Sequence, residues 1–165
     1  MKKRWWKILC VVLLVYVILG ALLFEVPRLA ILNETIRNLH FHVTMWFGMI
    51  ILLTVSVVYA IKYLRSNKIE HDHYSVEFAN AGVLFGILGI TTGAIWANFT
   101  WGEPWSGDPK QNSSAIALLI YLAYLVLRNL LEDQQQKARV SAIYNVSAFA
   151  ALIPLLFILP RMTDS

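Results

Sequence analysis

The sequence is poor in cysteine, with one, Cys10, among 165 residues. That excludes an intrachain disulfide and a cysteine-based zinc site. Charge is scarce as well. Asp, Glu, Lys and Arg make up 15% of the chain, against about 25% in an ordinary globular domain. With 58% hydrophobic residues and a mean hydropathy of +0.60, a soluble domain and a disordered tail are both excluded. Also missing are a glycine-rich nucleotide loop, a Ser/His/Asp set and paired carboxylates inside the apolar stretches. The expectation is therefore a protein that is not an enzyme. No internal repeat or low-complexity tract is present.

What fills the chain instead is a series of apolar runs over residues 8–24, 43–61, 81–99, 115–131 and 140–159. Each approaches the roughly 20 residues that cross the hydrocarbon core as a helix. Backbone groups in lipid must be satisfied internally. The predicted fold is thus an all-α polytopic integral membrane protein, a single membrane domain over residues 1–165 with about five transmembrane helices. The fourth run is the weakest, because Arg128 and Asn129 interrupt it. Near a membrane face, Arg128 can snorkel to the headgroups. Pro154 is expected to kink the fifth span. The basic start Lys2-Lys3-Arg4 and the small pair Gly20-Ala21 give the first run some likeness to a signal peptide. Its apolar stretch is too long and no A-x-A site follows, so an uncleaved first span is expected.

The basic isoelectric point, near 9.3, would suggest nucleic acid in a soluble protein. Here the basic residues flank apolar runs, and the positive-inside rule accounts for them without nucleic acid. With the N-terminus in the cytoplasm, the inner segments hold Lys2, Lys3, Arg4, Lys7, Lys62, Arg65, Lys68, Arg128, Lys137 and Arg139. The outer segments hold only Arg28, Arg37, Lys110 and Arg161. Residues 25–42, 100–114 and the C-terminus from Pro160 then face outward.

Two outward segments carry the candidate chemistry. The first ends in Leu39-His40-Phe41-His42-Val43-Thr44-Met45-Trp46. His42 starts the second span, and Trp46 follows one helical turn later on the same face. An imidazole there can bind haem iron axially; an interfacial histidine beside a belt tryptophan is the plainer alternative. His40 points elsewhere, and Met45 and Met49 read as packing residues. The second segment, over 100–114, holds Trp101 and Trp105 among Gly102, Pro104, Gly107 and Pro109, with Trp96 just before it. Aromatic faces on a rigid loop suit a large flat ligand, while simple interfacial anchoring is the alternative. Lys110 can pair with an anionic group on such a ligand and Asp108 can brace the loop, with Asn112 to Ser114 offering a cap for the fourth span. The inner stretch Glu70-His71-Asp72-His73 has the composition of a metal cluster but reads as a short solvated loop. Residues 132–137 read as a second solvated inner loop.

Trp96…Trp101-Gly102-x-x-Trp105-x-x-Asp108 resembles the tryptophan-rich "WWD" signature of haem-handling proteins in cytochrome c maturation. His42-Val43 with Trp46 is similar to a segment of the CcmC-type members of that group. The likeness extends over nearly the whole chain through the order of spans and loops. It implies that the outer loop cradles haem b as transported cargo, with Trp96, Trp101, Trp105, Asp108 and Lys110 around it and His42 as an axial ligand. It further implies a bacterial inner-membrane location with the Trp-rich loop in the periplasm, delivery to a periplasmic haem chaperone, and help from ABC-type transporter subunits and a small membrane subunit. Thr44, Pro104 and Gly107 stand where that family usually has Pro, Trp and Trp. The family usually has six helices, with a second outer histidine lying beyond the equivalent of Ser165, so one half of the axial pair is expected here. Two rival expectations are a membrane transporter, which would need ionisable residues facing an interior path, and an assembly subunit that docks a partner through the Trp loop.

Overall fold

The computed structural model describes residues 4–163. Lys2 and Lys3, two of the positive charges assigned to the inner side, lie outside the described residues. The chain is helical: α1 (Trp5–Leu23), a 3-10 segment (Asn33–Asn38), α2 (Leu39–Ser66), α3 (Ile69–Trp101), α4 (Pro109–Leu130), α5 (Gln134–Ile153), a π turn (Pro154–Ile158) and α6 (Leu159–Met162). Among the described residues, five stretches of helix are long and apolar enough to cross a membrane. The protein is an all-α polytopic membrane protein.

Local sequence explains where the helices stop. Asn67 ends α2 in the left-handed region, φ 53°, a conformation that Asn tolerates better than most residues. Its N–H bonds the Tyr63 carbonyl at 2.7 Å, and α3 begins two residues later, so α2 and α3 form an antiparallel hairpin. Gly102, φ 87°, ends α3. Pro109 opens α4 at a position where its missing N–H costs nothing. Asp108 caps that helix by accepting from the Lys110 N–H at 2.7 Å; the cap falls there, ahead of Asn112 to Ser114. At Pro154 the α pattern gives way to the π turn, because proline supplies no N–H to the preceding turn.

Three inter-span segments differ from expectation, the shortest at 132–137, where only 132–133 are non-helical because Asp133 caps α5 from Gln134 onward. The stretch between spans three and four is a loop only over 102–108, since α3 continues through Trp101 and α4 starts at Pro109. The polar residues at 69–80 are helix rather than solvated loop. At 1.5 Å per residue, α3 is about 50 Å long and outruns a hydrocarbon core of about 30 Å. Within that extension Asp72 is buried. Arg128 of α4 does not snorkel outward; it grips Asp72 in a two-pronged ion pair, Nη1–Oδ1 2.8 Å and Nη2–Oδ2 2.6 Å.

Helices α2 to α5 pack as a bundle, with α2 and α3 in closest association. The reason lies in four glycines spaced four, three and four residues apart on α3. A methyl group on Gly82 would fall 2.6 Å from the Leu53 side chain, on Gly86 3.0 Å from the Met49 sulfur, on Gly89 3.1 Å from Trp46, and on Gly93 2.6 Å from His42. Each glycine receives one large side chain from α2. In lipid, where helices gain little from apolar burial, such close approach is a main source of association. Met49, Leu53, Val83, Ala117, Tyr121, Tyr124 and Leu152 form the core beside this seam. Deeper still, Asn145 of α5 donates to Ser56 Oγ at 2.7 Å and Ser75 Oγ at 3.1 Å, tying three helices through a buried polar knot. Helix α1 stands to one side. Only Ala21 of it is buried, and Arg37 holds its end by donating to the Ala21 and Phe24 carbonyls at 3.0 and 2.6 Å.

The charge asymmetry predicts that the 102–108 loop and the α4–α5 turn face opposite sides. With Cys10 replaced by serine, cysteines introduced at Asn112 and at Gln135, both exposed, are expected to react with an impermeant maleimide from opposite faces of the membrane. Labelling of both from one side would overturn the orientation.

Candidate functional site

The start of α2, the end of α3, the 102–108 loop and the start of α4 meet at one end of the bundle. They enclose an open cavity of about 370 Å³, within the size range of small-molecule sites. His42, Trp96, Trp101, Trp105, Asp108 and Lys110 all line it. Trp46, Gly89, Gly93, Gln111 and Ser114 complete much of the wall.

His42 sits at the floor, half-buried, between two indoles. Its ring meets Trp46 at 6.2 Å and Trp96 at 5.9 Å between centroids, both edge to face. It can approach α3 this closely because Gly93 has no side chain. His42 Nδ1 lies 2.9 Å from the Gly89 carbonyl oxygen. A carbonyl can only accept, so Nδ1 carries the proton and Nε2 carries the lone pair. This is the arrangement of metal-binding histidines, whose second nitrogen donates to a carbonyl or carboxylate. His40, two residues earlier, is exposed and faces a separate hollow beside Tyr16, Phe24 and Glu25 of the α1 end.

The tryptophans are graded by depth. Trp96 is half-buried, and its Nε1 donates to Thr35 Oγ1 at 3.2 Å, which anchors the 3-10 segment against α3. Asn38 reinforces that anchor by donating to the Thr92 carbonyl at 2.8 Å. Trp105 is 41% exposed and Trp101 60%, which places them at the rim. Trp105 Nε1 donates to Asn112 Oδ1 at 3.2 Å, and Asn112 Nδ2 donates back to the Gly107 carbonyl at 2.8 Å. Gln111 Oε1 accepts from the Ser106 N–H at 3.0 Å. The first turn of α4 therefore holds the loop. Asp108 acts through its cap, and Lys110 lies at the cavity wall.

Sequence reasoning passed over Gly89, Gly93 and Gln111. The glycines were visible in their spacing along span three; Gln111 left no signal. Among the described residues no cluster of three or more His, Cys, Asp or Glu side chains could hold a bare metal ion. In particular, His71 Nδ1 is engaged with Ser66 Oγ at 2.9 Å.

The fold and site define a polytopic membrane protein with an aromatic cavity around one oriented histidine at one end of its helical bundle. The chain belongs to the cytochrome c assembly protein family, which it matches over residues 3–163. It is similar to proteins named cytochrome c biogenesis protein CcsA. The one from Pelargonium hortorum is 42% identical over 79 residues, 47% of this chain and 25% of the relative. That of Spinacia oleracea is 39% identical over 79 residues, 47% of this chain and 24% of the relative. That of Carica papaya is 38% identical over 79 residues, 47% and 25% respectively. The chain thus spans about a quarter of the length of these relatives. Within the family, their name is CcsA and not the CcmC-type that the Trp loop and His42 segment resemble.

Proposed function

We propose that the chain binds haem b as cargo in the cavity floored by His42 and delivers it for cytochrome c assembly. The observation that carries this reading is the His42 hydrogen bond to Gly89, which leaves Nε2 available as an iron ligand in a pocket walled by indoles. The residues present fit such a group. Haem iron takes an imidazole axially, and the faces of Trp96, Trp101 and Trp105 suit a porphyrin plane. Lys110 and Gln111 at the wall offer donors for the propionates. When bound, the haem supplies the iron and the redox chemistry; the protein only holds, orients and releases it, and is not an enzyme.

The rest of the reading follows the CcmC-type resemblance. The Trp loop faces the periplasm of a bacterial inner membrane, where rim exposure of Trp101 lets a haem chaperone approach. ABC-type transporter subunits and a small membrane subunit assist. An assembly subunit that docks a partner protein through its Trp loop is the second reading, favoured by the 60% exposure of Trp101. A docking surface does not require a histidine held beneath it between Trp46 and Trp96, which is why cargo binding is preferred.

The protein purified from haem-replete cells is expected to show a Soret band. Replacing Trp101 and Trp105 together with alanine should remove most of it, since both aromatic faces at the rim of the cavity are then lost. A colourless wild type, inserted normally in the membrane, would refute the haem reading; retained docking of a partner would then favour the alternative.

A further inference from the structure

The His42 imidazole faces a second acceptor. Thr92 Oγ1 lies 3.3 Å from His42 Nδ1. The threonine hydroxyl already points its own hydrogen into α3, donating to the Leu88 carbonyl at 2.8 Å, with the Gly89 carbonyl at 3.1 Å. Having no hydrogen left to offer, it meets Nδ1 with a lone pair. The Nδ1–H is therefore shared between the Gly89 carbonyl, the shorter contact, and the Thr92 hydroxyl, the longer one. Thr92 is itself fixed in place. Its carbonyl receives the Asn38 amide at 2.8 Å, which couples the residue to the strap in front of α2.

We propose that Thr92 is a positioning residue for the haem reading above, on which this inference rests: it sets the orientation and the donor strength of His42 toward iron. Two acceptors on one N–H draw the proton away from the ring. The imidazole gains anionic character and becomes a stronger ligand to ferric iron. The pair also prevents a ring flip, since a flipped ring would present a carbon to both oxygens.

The test uses the full chain in detergent, titrated with ferric haem and followed by its Soret absorbance and by redox titration. Thr92→Val keeps the shape of the side chain and removes the acceptor. It is expected to weaken haem binding about tenfold, the low end for a lost partner of a metal-binding histidine because the Gly89 bond remains. The reduction potential should move upward, because a weaker donor stabilises ferric iron less. Thr92→Ser should restore both affinity and potential. A loss of packing alone would not shift the potential or be rescued by serine. Thr92→Val matching the wild type in affinity and potential, or Thr92→Ser failing to rescue, would overturn the inference and leave the haem reading intact. A wild type that takes up no haem would remove both.

Discussion

His42→Gly is expected to abolish most haem uptake, with the Soret band of the purified protein falling at least tenfold. The side chain is the only imidazole among the residues lining the cavity, and no neighbouring group on the cavity floor can take its role: Trp46 and Trp96 present rings without a metal-binding lone pair. The space left behind is shaped for the missing ring, since Gly93 adds no bulk and the Gly89 carbonyl stays in place to receive an N–H. Added imidazole should therefore enter that space and partly restore the spectrum. His40→Gly should change little, because His40 opens onto the hollow beside α1. The measurement is the absorbance spectrum of each variant at equal protein concentration, with and without imidazole. The reverse ranking, with His40 essential and His42 dispensable, would overturn the assignment of the cavity.

The second large effect lies at the other end of the bundle. Asp72→Ala is expected to destabilise the protein by about 3–5 kcal/mol, because it leaves the Arg128 guanidinium without its counter-charge in a buried setting. The side chains of Arg128 and Asp72 are only 12% and 5% exposed, so solvent screens the pair little. Much of that cost is the penalty of an orphaned charge and not the strength of the pair. Combining Asp72→Ala with Arg128→Met, which keeps the length of the side chain and removes its charge, should recover most of the loss. Denaturation in mild detergent, followed by loss of helical signal, distinguishes the outcomes. Equal stability of Asp72→Ala and wild type would mean that Arg128 reaches water or lipid headgroups after all.

The five spans were legible because hydropathy reports depth in the bilayer directly, and the chain has little charge to confuse it. The same measure misread residues 69–80. A window that finds His71, Asp72 and His73 polar correctly removes them from lipid, yet it cannot tell polar helix from polar loop. Asp72 and Arg128 are 56 residues apart, and no local pattern joins two charges across that distance. The candidate site was legible in its parts, since His42 and the Trp residues announce themselves by type. Their convergence depended on how α2 meets α3, and the evidence for that was the spacing of Gly82, Gly86, Gly89 and Gly93, glycines that carry no chemistry of their own. Thr92 was illegible for a related reason. A threonine inside a span ordinarily bonds back to its own helix, as Thr92 also does, and nothing in the sequence marks the lone pair it has to spare.

The glycine seam also divides the site mechanically. Where α2 and α3 interlock at four successive levels, sliding or tilting of one against the other must force side chains into backbone, so the hairpin moves as one stiff body. The opposite wall is built differently. Its loop runs from Gly102 to Gly107, both at positive φ (87° and 76°), with nothing within 4 Å of where a side chain would be. No side chain packs around these two glycines, and the backbone between them is held instead by polar ties to the first turn of α4, among them Asn112 Nδ2 to the Gly107 carbonyl at 2.8 Å and the Ser106 N–H to Gln111 Oε1 at 3.0 Å. The cavity therefore has a floor fixed by interlocked side chains and a lip fixed by a few polar bonds that can break one at a time, which in the proposed cargo reading would let the floor set what fits and the lip set how quickly it leaves.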